Sequence, residues 1–243
     1  MNPIQQFAIG LTLATGASAT LTFDESYPGL PLAIPDHDAS GILRSLAVTG
    51  LDANTRYSVD VSLNISGTGY GGYVGDLYAY LAHQASPGGS YRMTVLLNRP
   101  GRSDTLLSGY GDTGLNITLS DSAAADIHTY QSQADYALDG AGALTGTWQP
   151  DRRLANPDTV VSSDARAAIS FDDLVNSLVP SNPNGYWYLF IADMQTGATM
   201  QLNSWSLDFS EMSAVPEPAN LLALSGLVGS AMFLRNRRGK RVA

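Results

Sequence analysis

The sequence predicts an all-β domain, an antiparallel sandwich or jelly roll, and three observations carry that expectation. Tyr57, Val59, Val61, Leu63 and Ile65 alternate with Ser58, Asp60, Ser62 and Asn64, the period-two pattern of a strand with one buried face. Breakers rich in Gly and Pro recur between apolar runs, as in Ser86-Pro87-Gly88-Gly89 and Asn98-Arg99-Pro100-Gly101. Helical periodicity is confined to two short stretches, Ser122–Ile127 and Phe171–Leu178.

Further strands follow from the same pattern. Leu77–Leu81 and Met93–Leu97 are apolar runs of strand length, and Leu115, Ile117, Leu119 and Trp205, Leu207, Phe209 repeat the alternation. Tyr186–Ile191 is apolar on both faces, which predicts a central strand. Tyr78 and Tyr80 share one strand face, expected to pack inside. Gly67-Thr68-Gly69-Tyr70-Gly71-Gly72 fits Gly-x-Gly-x-x-Gly. A dinucleotide site, however, needs a helix directly after the glycines. An alternating segment begins instead at Tyr73, so a hairpin loop is expected. The irregular stretch Arg152–Asn184 reads as an insertion or a mobile loop.

Charge is sharply partitioned. Of thirteen Lys and Arg residues, five lie in the last nine positions, and the eight before them are all Arg. Residues 20–214 hold those eight against twenty-one acids, a balance of −13. Such a surface argues against nucleic acid or anionic lipid as a partner, because both select basic patches. Cysteine is absent, so disulfides, thiol catalysis and thiolate zinc sites are excluded.

The two ends have a different character. Phe7–Ala17 is weakly apolar and precedes the small-x-small site Ala17-Ser18-Ala19, which predicts a signal peptide over 1–19, although the first six residues carry no Lys or Arg. At the other end, Val215-Pro216-Glu217-Pro218 leads into an apolar run from Ala219 to Leu234 and then a basic stop of Arg235, Arg237, Arg238, Lys240 and Arg241. Residues 219–234 as a helix span ~24 Å, a little short of a ~30 Å hydrocarbon core. The basic residues would keep the C-terminus cytoplasmic, and the two prolines favour an extended, accessible peptide before the helix. This tail resembles the PEP-CTERM sorting signal of Gram-negative bacteria. The resemblance implies cleavage by an exosortase and delivery to the cell surface or extracellular matrix, with transient anchoring in the inner membrane.

A second resemblance spans most of the remainder. In order, the chain carries Ile34-Pro35-Asp36, Gly41-Ile42-Leu43, Gly75-Asp76-Leu77 with Leu81, Gly146-Thr147-Trp148-Gln149-Pro150, Gly185-Tyr186-Trp187-Tyr188-Leu189 with Ala192-Asp193, and Leu202-Asn203-Ser204-Trp205-Ser206-Leu207. Residues 32–209 thereby resemble the P domain (P/Homo B) that accompanies the catalytic domain of kexin- and furin-like proprotein convertases. The resemblance implies a β-sandwich of jelly-roll type. Two departures stand out: Gly71-Gly72-Tyr73-Val74 replaces the family's His-Thr pair, and Thr196-Gly197-Ala198-Thr199 lacks the family's Asp at that turn. The expected layout is therefore a signal peptide at 1–19, an extension at 20–31, the domain at 32–209, a linker at 210–214 and the sorting signal at 215–243.

Catalytic signatures are missing. His37, His83 and His128 are the only imidazoles, and neither Gly-x-Ser-x-Gly nor His-Glu-x-x-His occurs. Asp172-Asp173 are neighbours whose side chains point apart on a helix, unsuited to paired acid–base work. Calcium is a possible ligand, because Asp supplies hard oxygen donors: Asp36, Asp38, Asp76 and Asp193 are the candidate ligands. Tyr70 and Tyr73, in a Tyr-rich hairpin, are candidates for stacking on sugar rings. The function expected is that of a non-catalytic exported surface or matrix protein. The alternatives are a carbohydrate-binding accessory module of the exopolysaccharide matrix and an accessory domain acting with a separately encoded serine endopeptidase.

Overall fold

The computed structural model describes residues 20–24, 30–68, 71–176 and 182–212. The expected signal peptide, Tyr70, and the expected sorting signal, from Val215 through the 219–234 run to the basic stop, lie outside the described residues. Among the described residues no helix is long and apolar enough to cross a membrane.

Ten strands form two facing sheets: β1 (Thr20–Asp24), β2 (Leu32–Ile34), β3 (Asp38–Val48), β4 (Tyr57–Thr68), β5 (Leu77–Gln84), β6 (Arg92–Asn98), β7 (Gly114–Ser120), β8 (Ala143–Trp148), β9 (Gly185–Asp193) and β10 (Thr199–Glu211). The first sheet runs β1-β10-β4-β7-β8, with β2 also paired to β10; the second runs β3-β9-β5-β6. Leaving out β1 and β8, the orders β2-β10-β4-β7 and β3-β9-β5-β6 fit a jelly roll, in which consecutive strands alternate between sheets except at the β5–β6 hairpin. β8 is the exception to antiparallel pairing, running parallel to β7.

Alternation in the sequence becomes two-sidedness in the sheet. Tyr57, Val59, Val61, Leu63 and Ile65 are each at most 2% exposed, while the polar residues between them face outward. β10 follows the same rule in two phases. Met200 and Leu202 are buried, and then Trp205, Leu207 and Phe209. A bulge between Leu202 and Ser204 absorbs the odd residue. Asn203 is turned out there, its amide donating to Asn64 Oδ1 at 2.8 Å and Ser66 Oγ at 3.0 Å. Trp148, Trp187 and Trp205 are all buried, and the Trp187 and Phe209 rings meet edge to face at 5.6 Å.

The outer face of the second sheet differs from expectation. Tyr78 and Tyr80 do not pack inside. Leu77, Ala79 and Leu81 take the inner positions of β5, and the two tyrosines stand outside, partly exposed. β9 is central as predicted, flanked by β3 and β5, yet only Trp187, Leu189 and Ile191 enter the core. Tyr186, Tyr188 and Phe190 line the outer face, where the Tyr80 and Phe190 rings stack at 4.7 Å. Aromatic rings cover one another here without a second layer above them.

Two local expectations are also corrected. Ser122–Ile127 is not helical. A 3₁₀ turn begins at Ile127 instead, because the Asp126 carboxylate accepts from the backbone N–H of His128 at 2.9 Å and fixes the start. The second predicted helix forms as α1, Phe171–Asn176. The stretch from Arg152 onward is irregular, but residues 152–170 are held down by arginines reaching backbone carbonyls. Arg102 donates to Val160 O (2.8 Å), Arg153 to Ser162 O (2.8 Å), Arg152 to Ala168 O (2.8 Å) and Arg166 to Pro150 O (2.7 Å). A mobile loop is not what these bonds describe.

Beneath that segment lies a buried ionic network. His128 Nδ1 is 2.7 Å from Asp151 Oδ2, and both side chains are fully buried. Asp151 Oδ1 meets Arg153 at 3.1 Å, and Arg153 in turn meets Asp126 at 2.8 Å. Removing one partner leaves an uncompensated charge in a low dielectric, a loss of about 3–5 kcal/mol. Asp151→Ala should therefore lower the unfolding free energy, measured by urea titration, by that amount. The exposed, unbonded Ser45→Ala should stay within about 0.5 kcal/mol of the parent.

Candidate functional site: a buried carboxylate pair beside an arginine

Three of the four aspartates singled out in the sequence converge at one end of the sandwich. Asp76 ends a 3₁₀ turn, Val74–Asp76, immediately before β5, and Asp193 is the last residue of β9. Because β5 and β9 pair with Leu77 opposite Asp193, the two carboxylates are brought to the same sheet end. Asp36 sits in the β2–β3 loop and accepts from the Gly197 N–H at 3.1 Å, tying that loop to the β9–β10 turn. The turn lacks its own aspartate, and Asp36 supplies a carboxylate to it from the adjoining β2–β3 loop.

Asp38 stands apart from the group. Its Oδ1 accepts from the Ser40 backbone N–H at 2.9 Å and from the Ser40 hydroxyl, and these bonds lower its pKa. It acts as a local turn carboxylate at the start of β3.

The environments of Asp76 and Asp193 are unusual for carboxylates. Asp193 is fully buried, and Asp76 is 5% exposed. Asp193 accepts from the Gln195 N–H at 3.1 Å and from the His37 N–H. One oxygen of each, Asp76 Oδ1 and Asp193 Oδ2, is buried without a hydrogen-bond partner. Burial pushes both pKa values up to about 6, with the like charges of Asp193 on Asp76 and of Asp36 on Asp193 adding to it.

The missing piece in the sequence reading is Arg99. It follows β6, has φ 50°, and is 2% exposed. Its Nη2 lies 3.6 Å from Asp76 Oδ1, while Nε donates to Gly75 O at 3.0 Å and Nη2 to Leu107 O at 3.2 Å. In the sequence Arg99 is one residue of a Pro-Gly turn signal. Its only other mark is rarity, as one of eight arginines among twenty-one acids.

Among the described residues no group of three or more His, Asp or Glu side chains is arranged as a ready metal site. The donor set still suits a hard cation in part: two orphaned carboxylate oxygens, with Asp36 nearby, could join backbone carbonyls and water in a six- to eight-oxygen shell. Arg99 already places one positive charge against Asp76.

Tyr73 lies elsewhere in the same loop region. It is half-buried, its ring rests against Gly111, and its hydroxyl reaches Ser108 Oγ and Gly109 O at 3.4 Å. As for catalysis, His128 is sealed between Asp151 and the Arg102 carbonyl. His83 stacks on Trp187 at 4.4 Å and bonds Asn184 O. Among the described residues no histidine nitrogen bonds a Ser or Thr hydroxyl. Asp172 and Asp173 lie in the first turn of α1, where Ser170 Oγ accepts from the Asp173 N–H at 3.0 Å.

No family model matches the chain, and no curated protein does. Among solved structures, the complex of Aeromonas sobria serine protease with its chaperone aligns over 82% of this chain and 28% of that one, at 15% identity and a TM-score of 0.37. This chain therefore spans under a third of that neighbour, and at such a score the likeness carries no argument.

The pH dependence of stability follows from the carboxylate pair. In the unfolded chain these groups titrate near the ordinary carboxylate value, about 3.9; in the fold they titrate near 6. Between those values the folded state binds more protons. Their contribution is thus greatest at low pH and is lost as pH rises through about 6. In EGTA, the melting temperature of the parent minus that of Asp76→Asn/Asp193→Asn should fall steadily from about pH 4 to about pH 7. A difference independent of pH would contradict the raised values.

Proposed function

We propose that the chain is an exported, non-catalytic surface or extracellular-matrix protein, built on a P-domain-like sandwich and sorted by an exosortase-type enzyme acting at its tail. The observation that carries this reading is the order of Val215-Pro216-Glu217-Pro218, apolar run and basic stop, set four residues beyond the last strand at Glu211. A motif placed so close to the domain end leaves only a short tether between a folded cargo and the cut. The partition of charge supports it too, since five of thirteen basic residues fall in a segment destined for removal.

Calcium belongs to the same proposal as a stabilising ligand. Asp76 and Asp193 would hold it, with Asp36 at the approach; two buried oxygens without a hydrogen bond, Asp193 Oδ2 and the Asp76 Oδ1 that lies 3.6 Å from Arg99, support that assignment. The ion would lower both carboxylate pKa values and offset their repulsion at neutral pH. Reading the sandwich as an accessory of a separately encoded protease is the weaker alternative, because none of its surfaces points to that partner in particular.

Two experiments test the proposal. Mass spectrometry of the mature protein, from its host with and without exosortase, should find a C-terminus near Pro216–Pro218 only when the enzyme is present. A mature surface protein ending at Ala243 in both hosts would overturn the sorting reading. At pH 7, millimolar calcium should raise the melting temperature over that in EGTA, and Asp193→Asn should remove the rise. An unchanged midpoint in the parent would rule the ion out.

A further inference from the structure

The outer face of the first sheet carries a groove of about 570 Å³, crossing five strands. Register sets its side chains in rows. Asp24 of β1 lies opposite Ser206 of β10, Ser206 opposite Ser62 of β4, Ser62 opposite Thr118 of β7, and Thr118 opposite Thr147 of β8. The adjacent row runs through Ser204, Asn64 and Asn116. Five strands at ~4.8 Å spacing give a track about 19 Å long.

Its outward-facing side chains are short hydroxyls and amides with one carboxylate, Asp24, and no Lys or Arg; Gly146 and the buried Leu63, Ile117 and Trp205 complete the lining. Several of them have hydrogen-bonding capacity left over. Ser62 and Thr118 share a 3.3 Å bond, but among the described residues the side chains of Asp24, Asn116, Thr147, Ser204 and Ser206 make no hydrogen bond. Each hydroxyl offers one donor and two lone pairs, and each amide two of each. A groove that presents many polar groups, and no aromatic or arginine anchor at its surface, lacks what a protein interface uses.

From this we infer that the groove binds a neutral polysaccharide. Such a polymer carries several free hydroxyls on each sugar unit and has no charge for the acidic domain to repel. Anionic chains would meet a domain of balance −13 and, in the groove itself, the Asp24 carboxylate. The inference deepens the reading of the chain as a matrix protein and places the contact away from Tyr73, on a different surface.

Native electrophoresis of the full chain, purified in mild detergent, would test it in gels cast with dextran, mixed-linkage β-glucan or galactomannan, and with alginate as the anionic comparison. Retardation is expected in at least one neutral polymer and not in alginate. Ser206→Phe and Thr147→Phe fill the groove from solvent-facing positions and should abolish it. Asn116→Ala should weaken it by up to about tenfold, the worth of one or two hydrogen bonds. Tyr188→Ala, on the outer face of the other sheet, should leave it unchanged. Thermal melts confirm that each variant is folded. Migration unaffected by every neutral polymer, retardation by alginate alone, retardation surviving both Phe variants, or retardation lost in Tyr188→Ala would each overturn the proposal. None of these outcomes bears on where the tail is cut, so failure here is distinguishable from failure of the sorting reading.

Discussion

Pairing between β4 and β10 is the constraint on which the rest of the domain depends. The two strands run together from Thr68 opposite Thr199 to Tyr57 opposite Glu211, the longest ladder in the molecule. Every inner side chain on both belongs to the hydrophobic core, and each buried Val or Leu contributes about 1.5–3 kcal/mol relative to exposure. The same ladder fixes which residues face out. Slipping it by one position would exchange Val61 and Leu207 with Ser62 and Asp208, and would bury carboxylates in place of methyl groups. The bulge at Asn203 is what lets one strand satisfy both the Met200 and the Trp205 ends of the core.

A different interaction holds the remainder in place. Where the chain leaves regular strands, between β8 and β9, there is little apolar periodicity to fold it. Guanidinium groups do so instead. Arg102, Arg152, Arg153 and Arg166 each reach backbone carbonyls, while Asp151 and Asp126 balance their charge. Planar, multi-donor groups suit that task, since one side chain can satisfy several carbonyls that lack sheet partners. Arg99 applies the same device at the carboxylate end, bonding Gly75 and Leu107 carbonyls while facing Asp76. Five of the eight arginines within residues 20–214 are thus spent on irregular backbone.

The sheets were legible in the sequence because period-two alternation is a direct imprint of a two-faced environment. β4 and the later half of β10 could be read off residue by residue. What misled was aromatic content: Tyr78, Tyr80 and Tyr186 look like core residues by hydrophobicity, but rings can cover one another on an outer face and keep their hydroxyls in water. Of the candidate site, Asp36, Asp76 and Asp193 were recognisable, since all three sit at strand ends. Arg99 was not, because what makes it matter is its tertiary approach to Asp76 at the open end of the β5–β6 hairpin, opposite the turn. The polar groove also left no motif. Ser62, Asn116, Thr147 and Ser206 are ordinary exposed residues until register aligns them across strands.

Strand order has a consequence for how such a chain can be made. β9 and β10 are consecutive in sequence and come last, yet each sits in the interior of its sheet: β9 divides β3 from β5, and β10 divides β1 and β2 from β4. Until the stretch Gly185–Glu211 arrives, neither sheet can be assembled. β1, β2 and β3 must wait without partners, with only the β5–β6 and β4–β7–β8 fragments able to form. Contacts of such long sequence separation close slowly. A polypeptide emerging from its N-terminus thus cannot complete either sheet until Gly185–Glu211 is delivered.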